Sequence, residues 1–277
     1  MDNLEEELWE QQLKIGIETT EKSLQDYKDR KMKNDKNDDK TMTLVNWNSH
    51  CGLKMEKYND IISYNPNILI IQECTKNDFD YIKNMWNYKN WYNDDLKNNN
   101  SEIGVAIFSD YRISFTEVFN RNFRYIIPYE ITKNEENKFT IFAVWVNPIE
   151  GDYLKHFYEA INYYKDKKML DNNSIIIGDF NIFANDNNKR LEKLEEELSP
   201  MINCTKGTDF YKNLTYYDSQ YGYGIDDFCF VSKNIKDNYD IEAYIPSYKW
   251  DDAKEKKYRW NGLSDHCPII VKIKFKS

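Results

Sequence analysis

From residue 42 onward, short apolar runs alternate with stretches in which apolar residues recur every three or four positions. The runs, bounded by turn residues, predict strands, and the wider spacing predicts helices that bury one face. Strands are predicted over 43–47, 68–72, 104–108, 139–146, 174–178, 225–231 and 268–275. A helix over 55–64 carries Tyr58, Ile61 and Ile62 on one side and stops at the turn signal Asn65-Pro66-Asn67. A second, over 152–170, has its stripe in Leu154, Phe157, Tyr158, Ile161 and Tyr164. Strands interleaved with helices in this rhythm define an α/β fold.

The first 41 residues follow another pattern. Leu4, Leu8 and Ile15, with Trp9, Leu13 and Ile17 beside them, predict a helix as far as Tyr27. It dissolves into mixed charge over 31–40, a stretch with too little apolar content to offset its own ordering entropy. The predicted organisation is therefore an N-terminal helix and charged linker over 1–41, then one folded domain over 42–277.

Composition supports a globule. With 277 residues, 40% hydrophobic and 31% charged, the chain can bury a sizeable core, and 9 Gly with 6 Pro exclude collagen-like and Pro-rich classes. A net charge of -9 repels polyanions over most of the surface, so a nucleic-acid ligand requires a local basic patch or bound cations. No run reaches the roughly 20 apolar residues of a membrane span. The N-terminus is acidic where a secretory signal is basic and then apolar. Five cysteines, with no C-x-x-C pair, point to reduced thiols. An intracellular, cytoplasmic monomer is expected.

Chemistry enters where polar residues interrupt the predicted strands, because strand ends are where α/β folds assemble sites. Asn48 follows Leu44-Val45-Asn46-Trp47, and Gln72-Glu73 follows Ile68-Leu69-Ile70-Ile71. Gly178-Asp179-Phe180-Asn181 follows Ile175-Ile176-Ile177, while Gly224-Ile225-Asp226-Asp227 opens a strand. Ser264-Asp265-His266-Cys267-Pro268 leads into the last one. Singly, each has a plain structural reading as a turn, cap or solvated residue.

Together, in this order, the five segments resemble the signature of the endonuclease/exonuclease/phosphatase superfamily, the deoxyribonuclease I and exonuclease III class. The segments are W-N (Trp47-Asn48), Q-E (Gln72-Glu73), G-D-F-N (Gly178 to Asn181), I-D (Ile225-Asp226) and S-D-H-x-P (Ser264 to Pro268). The resemblance implies a four-layer α/β/β/α sandwich with two packed mixed β-sheets. It implies a divalent-metal-dependent phosphodiesterase using Mg²⁺, with Mn²⁺ as an alternative. Glu73 is then the principal metal ligand, with Asn48 and Asp265 beside it. Asp179 orients and deprotonates water, Asn181 holds Asp179 or a phosphate oxygen, His266 stabilises phosphoryl charge, and Asp226 fixes the tautomer of His266.

Two positions depart from the family pattern. Where the apurinic endonucleases carry an Asp, this chain has His50, either a metal ligand that favours Mn²⁺ or softer ions, or a surface loop residue. Trp145 stands near the place of a second catalytic histidine or tyrosine; an indole cannot protonate a leaving group, which leaves Trp145 a candidate metal or phosphate contact. Cys51, Cys74 and Cys267 each follow a candidate site residue. Strand alternation makes them small core residues rather than zinc ligands.

Loop motifs of inositol phosphatases and deadenylases are missing, so nucleic acid is the expected substrate. Small phosphoesters or phospholipids are the alternative, and a non-catalytic binding module with a degenerate site is the second. Trp86, Trp91, Tyr92, Trp250 and Trp260 are candidate base-stacking residues, and Arg121, Arg124, Lys254, Lys256, Lys257 and Arg259 candidate backbone contacts.

Overall fold

The computed structural model describes residues 40–53, 55–93, 103–123, 126–135, 137–146, 153–184, 189–206, 214–218, 220, 222–246 and 263–276. The helix and linker predicted over 1–41 lie almost wholly outside these residues. So do Arg124, Trp250, Trp260, Lys254, Lys256, Lys257 and Arg259.

In chain order the elements are β1 (Thr41–Asn48), α1 (Met55–Ile62), β2 (Ile68–Thr75), α2 (Lys76–Ile82), β3 (Tyr88–Tyr92), β4 (Ile103–Ser109), β5 (Arg112–Phe115), β6 (Ile126–Thr132) and β7 (Lys138–Trp145). There follow α3 (Tyr153–Asp166), β8 (Ser174–Ala184), α4 (Lys189–Leu198), β9 (Ile202–Asn203), β10 (Tyr216–Asp218), β11 (Gly222–Val231), α5 (Lys233–Asn238), β12 (Tyr239–Tyr244) and β13 (Ile269–Phe275). All seven predicted strands and both predicted helices of the domain are present, with shifted ends. Of the additional strands, β3, β5, β10 and β12 are sheet edges and β9 has two residues, whereas β6 is a buried internal strand that the sequence reading missed.

One sheet has the order β12-β13-β1-β2-β4-β3, the other β10-β11-β8-β7-β6-β5, with β9 beside β11. Both are mixed. The parallel pairs are β1 with β2 and β7 with β8, and the remaining neighbours run antiparallel. Helix α1 connects the first parallel pair and α3 the second, as parallel connections demand. The sheets lie face to face, β8 against β1 and β2, and β11 against β13.

Helices cover the outer faces and complete the four layers. Phe157, Ile161 and Tyr164 of α3, with Leu194 and Leu198 of α4, bury against Phe142, Val144, Phe180, Phe228 and Phe230. On the other sheet Phe79 of α2 stacks on Phe108 at 5.4 Å, and Tyr58, Ile61 and Ile62 of α1 are buried. Trp86, a stacking candidate from sequence, belongs to this core: it is 3% exposed and donates to the Tyr58 hydroxyl at 3.2 Å.

Between the sheets, Gln72 Nε2 donates to Asn46 Oδ1 at 2.7 Å and to the Val144 carbonyl of the opposite sheet at 3.1 Å. A Cβ on Gly178 would stand 2.0 Å from that same carbonyl oxygen, and its φ of +153° is one that side chains rarely adopt. Only glycine fits there. No helix among the described residues is long and apolar enough to cross a membrane.

Candidate active site

The parallel register sets Asn48 beside Gln72 in one sheet and Trp145 beside Asp179 in the other. The carboxyl ends of both parallel pairs therefore meet at one edge of the sandwich. Sequence places these polar residues after strand ends, whereas the structure keeps Glu73, Asp179 and Asn181 inside continuous strands. Glu73 lies in the β2–β4 register shift between Ile71 and Cys74, and Asp179 borders the β8–β11 shift. Bulges of this kind re-aim side chains next to sites. Glu73 (φ 55°), Asn181 (φ 50°), His50 (φ 50°) and Cys51 (φ 57°) all adopt the left-handed region, costing roughly 1–3 kcal/mol each.

Asp179 is fully buried and held from three directions. Asn48 Nδ2 donates to its Oδ2 at 2.9 Å, the Asn181 amide to the same oxygen at 3.1 Å, and the Asn181 backbone N–H to Oδ1 at 2.9 Å. Asn48 Nδ2 also reaches Glu73 Oε1 at 3.2 Å, linking the two sheets' carboxylates. Burial lifts the Asp179 pKa well above the carboxylate range, against the opposing field of His266.

His266 is positioned by the first strand of the domain. Trp47 Nε1 donates to its carbonyl at 2.9 Å, its N–H donates to Ser264 Oγ at 3.1 Å, and that hydroxyl donates to the Asn48 carbonyl at 2.9 Å. Tyr216 packs on the imidazole, with ring centroids 4.6 Å apart. Burial disfavours a charged ring, yet the carboxylates of Asp227 and Asp179 hold the His266 pKa well above its usual value.

One expectation is corrected here. The partner of His266 Nδ1 is Asp227, whose Oδ2 lies 2.8 Å away, and not Asp226. Asp226 instead accepts from the Phe183 backbone N–H, and burial pushes its pKa up to about 7. The register shift between Ile225 and Asp227 decides which carboxylate faces the histidine. Thr215 Oγ1 accepts from both backbone N–H groups, at 3.0 Å each, and fixes this turn of the strand. The Asp-Asp doublet was the only sequence signal for Asp227, and Thr215 had none.

The other half of the site is open. His50, with 39% of its side chain exposed, pairs through Nδ1 with Asp265 Oδ2 at 3.0 Å. The hydrogen bond from His50 holds Asp265 below the ordinary carboxylate range despite burial. Cys51 is exposed, contrary to the core position expected from strand alternation, while Cys74 and Cys267 are buried as expected. Strand β1 ends at Asn48, so alternation no longer governs the loop. Leu53 N–H donates to Asp78 Oδ2 at 2.9 Å, and Lys57 binds the carbonyls of Ser49, His50 and Gly52, which moulds that loop. Burial, then the adjoining Glu73, pushes the Cys51 thiol up to about 11.

Two groups of donors result. The ligand atoms of Asp179, Asp227 and His266 all lie within 4.8 Å of one another. Around the rim, Glu73, Asn48 and Asp265 offer oxygen, and Asp265 Oδ1 is buried with no hydrogen-bond partner among the described residues. An oxygen-rich rim with an unpartnered carboxylate oxygen fits a hard divalent cation. Trp145, half-buried, has no acidic proton to give. Trp91 is half-buried and donates to the Cys74 carbonyl at 3.0 Å, next to Glu73.

The sequence profile of the endonuclease/exonuclease/phosphatase family matches residues 45–243, and the chain belongs to that family. It is a family of hydrolases, nucleases and phosphatases among them, generally dependent on a divalent metal. No curated protein sequence is similar to this chain at a significant level. Among solved structures, the chain is similar to the endonuclease domain of TRAS1, a telomere-specific non-LTR retrotransposon, at 15% identity and TM-score 0.59. That match covers 86% of this chain and 100% of that one. It is similar to a 3'-5' exonuclease, NExo, from Neisseria meningitidis, at 16% identity and TM-score 0.59, covering 84% of this chain and 100% of that one. Beta toxin from Staphylococcus aureus shares 16% identity at TM-score 0.54, covering 83% of this chain and 99% of that one. At these identities the likeness is one of fold.

Proposed function

We propose that this chain hydrolyses phosphodiester bonds of nucleic acid with the help of a divalent metal, Mg²⁺ or Mn²⁺. The observation that carries the reading is the convergence of a buried carboxyl group, Asp179, and a buried imidazole, His266, on one pocket of atoms. Asp179, its basicity raised by burial and its direction fixed by Asn48 and Asn181, orients water and takes its proton. His266, steadied by Asp227, presents positive charge to the phosphoryl oxygens as negative charge gathers there. Glu73, Asn48 and Asp265 hold the metal, which supplies Lewis-acid neutralisation of the phosphate.

Nucleic acid is favoured by the kinship, since the named neighbours include an endonuclease domain and a 3'-5' exonuclease. A 3' phosphatase form of the latter is known bound to a product DNA hairpin.

The test is strand or phosphate release by wild type and Asp179→Asn with Mg²⁺, Mn²⁺ or EDTA. The substrates are plasmid DNA, abasic duplex, single-stranded DNA, RNA and an inositol phosphate. The expected outcome is metal-dependent cleavage of a nucleic acid, reduced on the order of 100-fold or more in a variant whose circular dichroism shows the fold retained. Turnover of the inositol phosphate alone would replace the nuclease reading with a phosphatase, and silence throughout would leave a binding module.

A further inference from the structure

Two of the five cysteines face each other across a sheet. Strand β9 pairs with β11 through Ile202 with Val231 and Asn203 with Phe230, and one further step of that antiparallel register sets Cys204 opposite Cys229. The Cys204 backbone N–H donates to the Cys229 carbonyl at 2.9 Å and carries the pairing on to them. Residues directly opposite in antiparallel strands have Cα atoms about 4.5–5.5 Å apart, inside the roughly 4.4–6.8 Å over which a disulfide closes without backbone movement. Their side chains stand on one face.

The two thiols are already in contact. The Cys204 thiol donates to the Cys229 carbonyl at 3.2 Å, and the Cys229 thiol is hydrogen-bonded to Cys204. Among the described residues no third histidine, cysteine or carboxylate forms a metal-ligating group with them. They differ in access. Cys229 is fully buried, whereas Cys204 is half-buried just past β9, where Asn203 Oδ1 turns the chain by accepting from the Thr205 backbone N–H and hydroxyl.

We propose that Cys204 and Cys229 are a redox modification site, closed reversibly to a disulfide by exchange with small disulfides of the glutathione class. Cys204, the reachable thiol, gives up its proton, and its sulfur attacks one sulfur of the small disulfide and expels the other as a thiolate. Cys229 then loses its proton, its sulfur attacks Cys204 Sγ, and the second small thiolate departs. Two cysteines are oxidised, one small disulfide is reduced, and the two protons end on two small thiols. Burial, then the hydrogen bond to Cys204, holds the Cys229 pKa well above its usual value, so the first attack falls to Cys204. The closed bond staples the segment 204–229, which brings Thr215, Tyr216 and Asp227 to the His266 side of the site.

The test is incubation of the folded full chain with excess oxidised glutathione, alkylation of the remaining thiols, and peptide mass mapping. The expected product is one linked pair of peptides, holding Cys204 and Cys229, that dithiothreitol separates again. Tm should rise by roughly 5 °C or more in the linked protein and return on reduction. Cys204→Ser should lose both the link and the rise in Tm. Cys229→Ala, with its fold verified by circular dichroism, should keep a glutathione adduct on Cys204 and form no link. In wild type, a lasting adduct on Cys204, a link to another cysteine, both thiols left free, or a linked protein of unchanged or lower Tm would each overturn the proposal.

Discussion

Each sheet contains the same unit, a parallel strand pair joined through a helix, β1-α1-β2 in one and β7-α3-β8 in the other, with an antiparallel strand alongside. The two units end in opposite environments. The β8 side delivers Asp179 with no exposure, and neighbouring β11 delivers Asp227 the same way. The β2 side delivers Glu73 to a loop where the side chains of His50 and Asp265 are 39% and 24% exposed. Groups that hold and pass protons gain from low dielectric, which separates their pKa values from those in water. Groups that take up an ion from solvent must remain accessible. One architecture serves both because the register shifts and loops at the strand ends, rather than the strands, set depth.

The sharpest way to break this contrast is at the paired aspartates. Asp227→Asn should lower kcat on the order of 100-fold by removing the anion that holds His266 charged, whereas Asp226→Asn should keep kcat in the wild-type range. Steady-state kinetics on both variants decides it, and equal losses would return Asp226 to the histidine. Next in size, Gly178→Ala should cost about 3 kcal/mol in urea unfolding, since its new Cβ meets the Val144 carbonyl on the buried side.

The smallest expected effect concerns pH. In EDTA, the raised pKa values of Asp179 and Asp226 mean that the folded state binds more protons than the unfolded one. That contribution is whole below the unfolded carboxylate value of 3.8 and is lost as pH rises through the folded value of about 7 for Asp226. His266, also raised, adds loss above neutrality. Tm should therefore fall from about pH 4 toward pH 8, and a saturating divalent ion should flatten the slope. A Tm that rises over this range would contradict the buried cluster.

Much of the fold was legible because its central strands are apolar runs that burial requires. The strands Tyr88–Tyr92, Arg112–Phe115 and Tyr239–Tyr244 escaped because edge strands need no apolar face; the last alternates half-buried with exposed positions. In the site, Asp179, Asn181, Asn48, Glu73 and His266 were placed together by motif. The choice between Asp226 and Asp227 was not legible, since strand alternation fails at a register shift and nothing local in sequence announces one. The exposure of Cys51 was hidden for a related reason: three successive positive φ values follow β1, and only the first side chain's contact with Asp265 and the second's with Glu73 reveal their direction.

The bond from Trp47 Nε1 to the His266 carbonyl spans 219 residues of chain, and strand β1 finds its antiparallel neighbour only in β13. Such distant pairing slows folding, because the loop must close before the contact is rewarded. It also imposes an order on synthesis. A ribosome-bound chain displays Glu73 and Asp179 long before residue 266 is translated, and β1 waits with one flank bare until β13 leaves the exit tunnel. On the role proposed for His266, the site is incomplete until residue 266 has been translated and β13 has paired with β1.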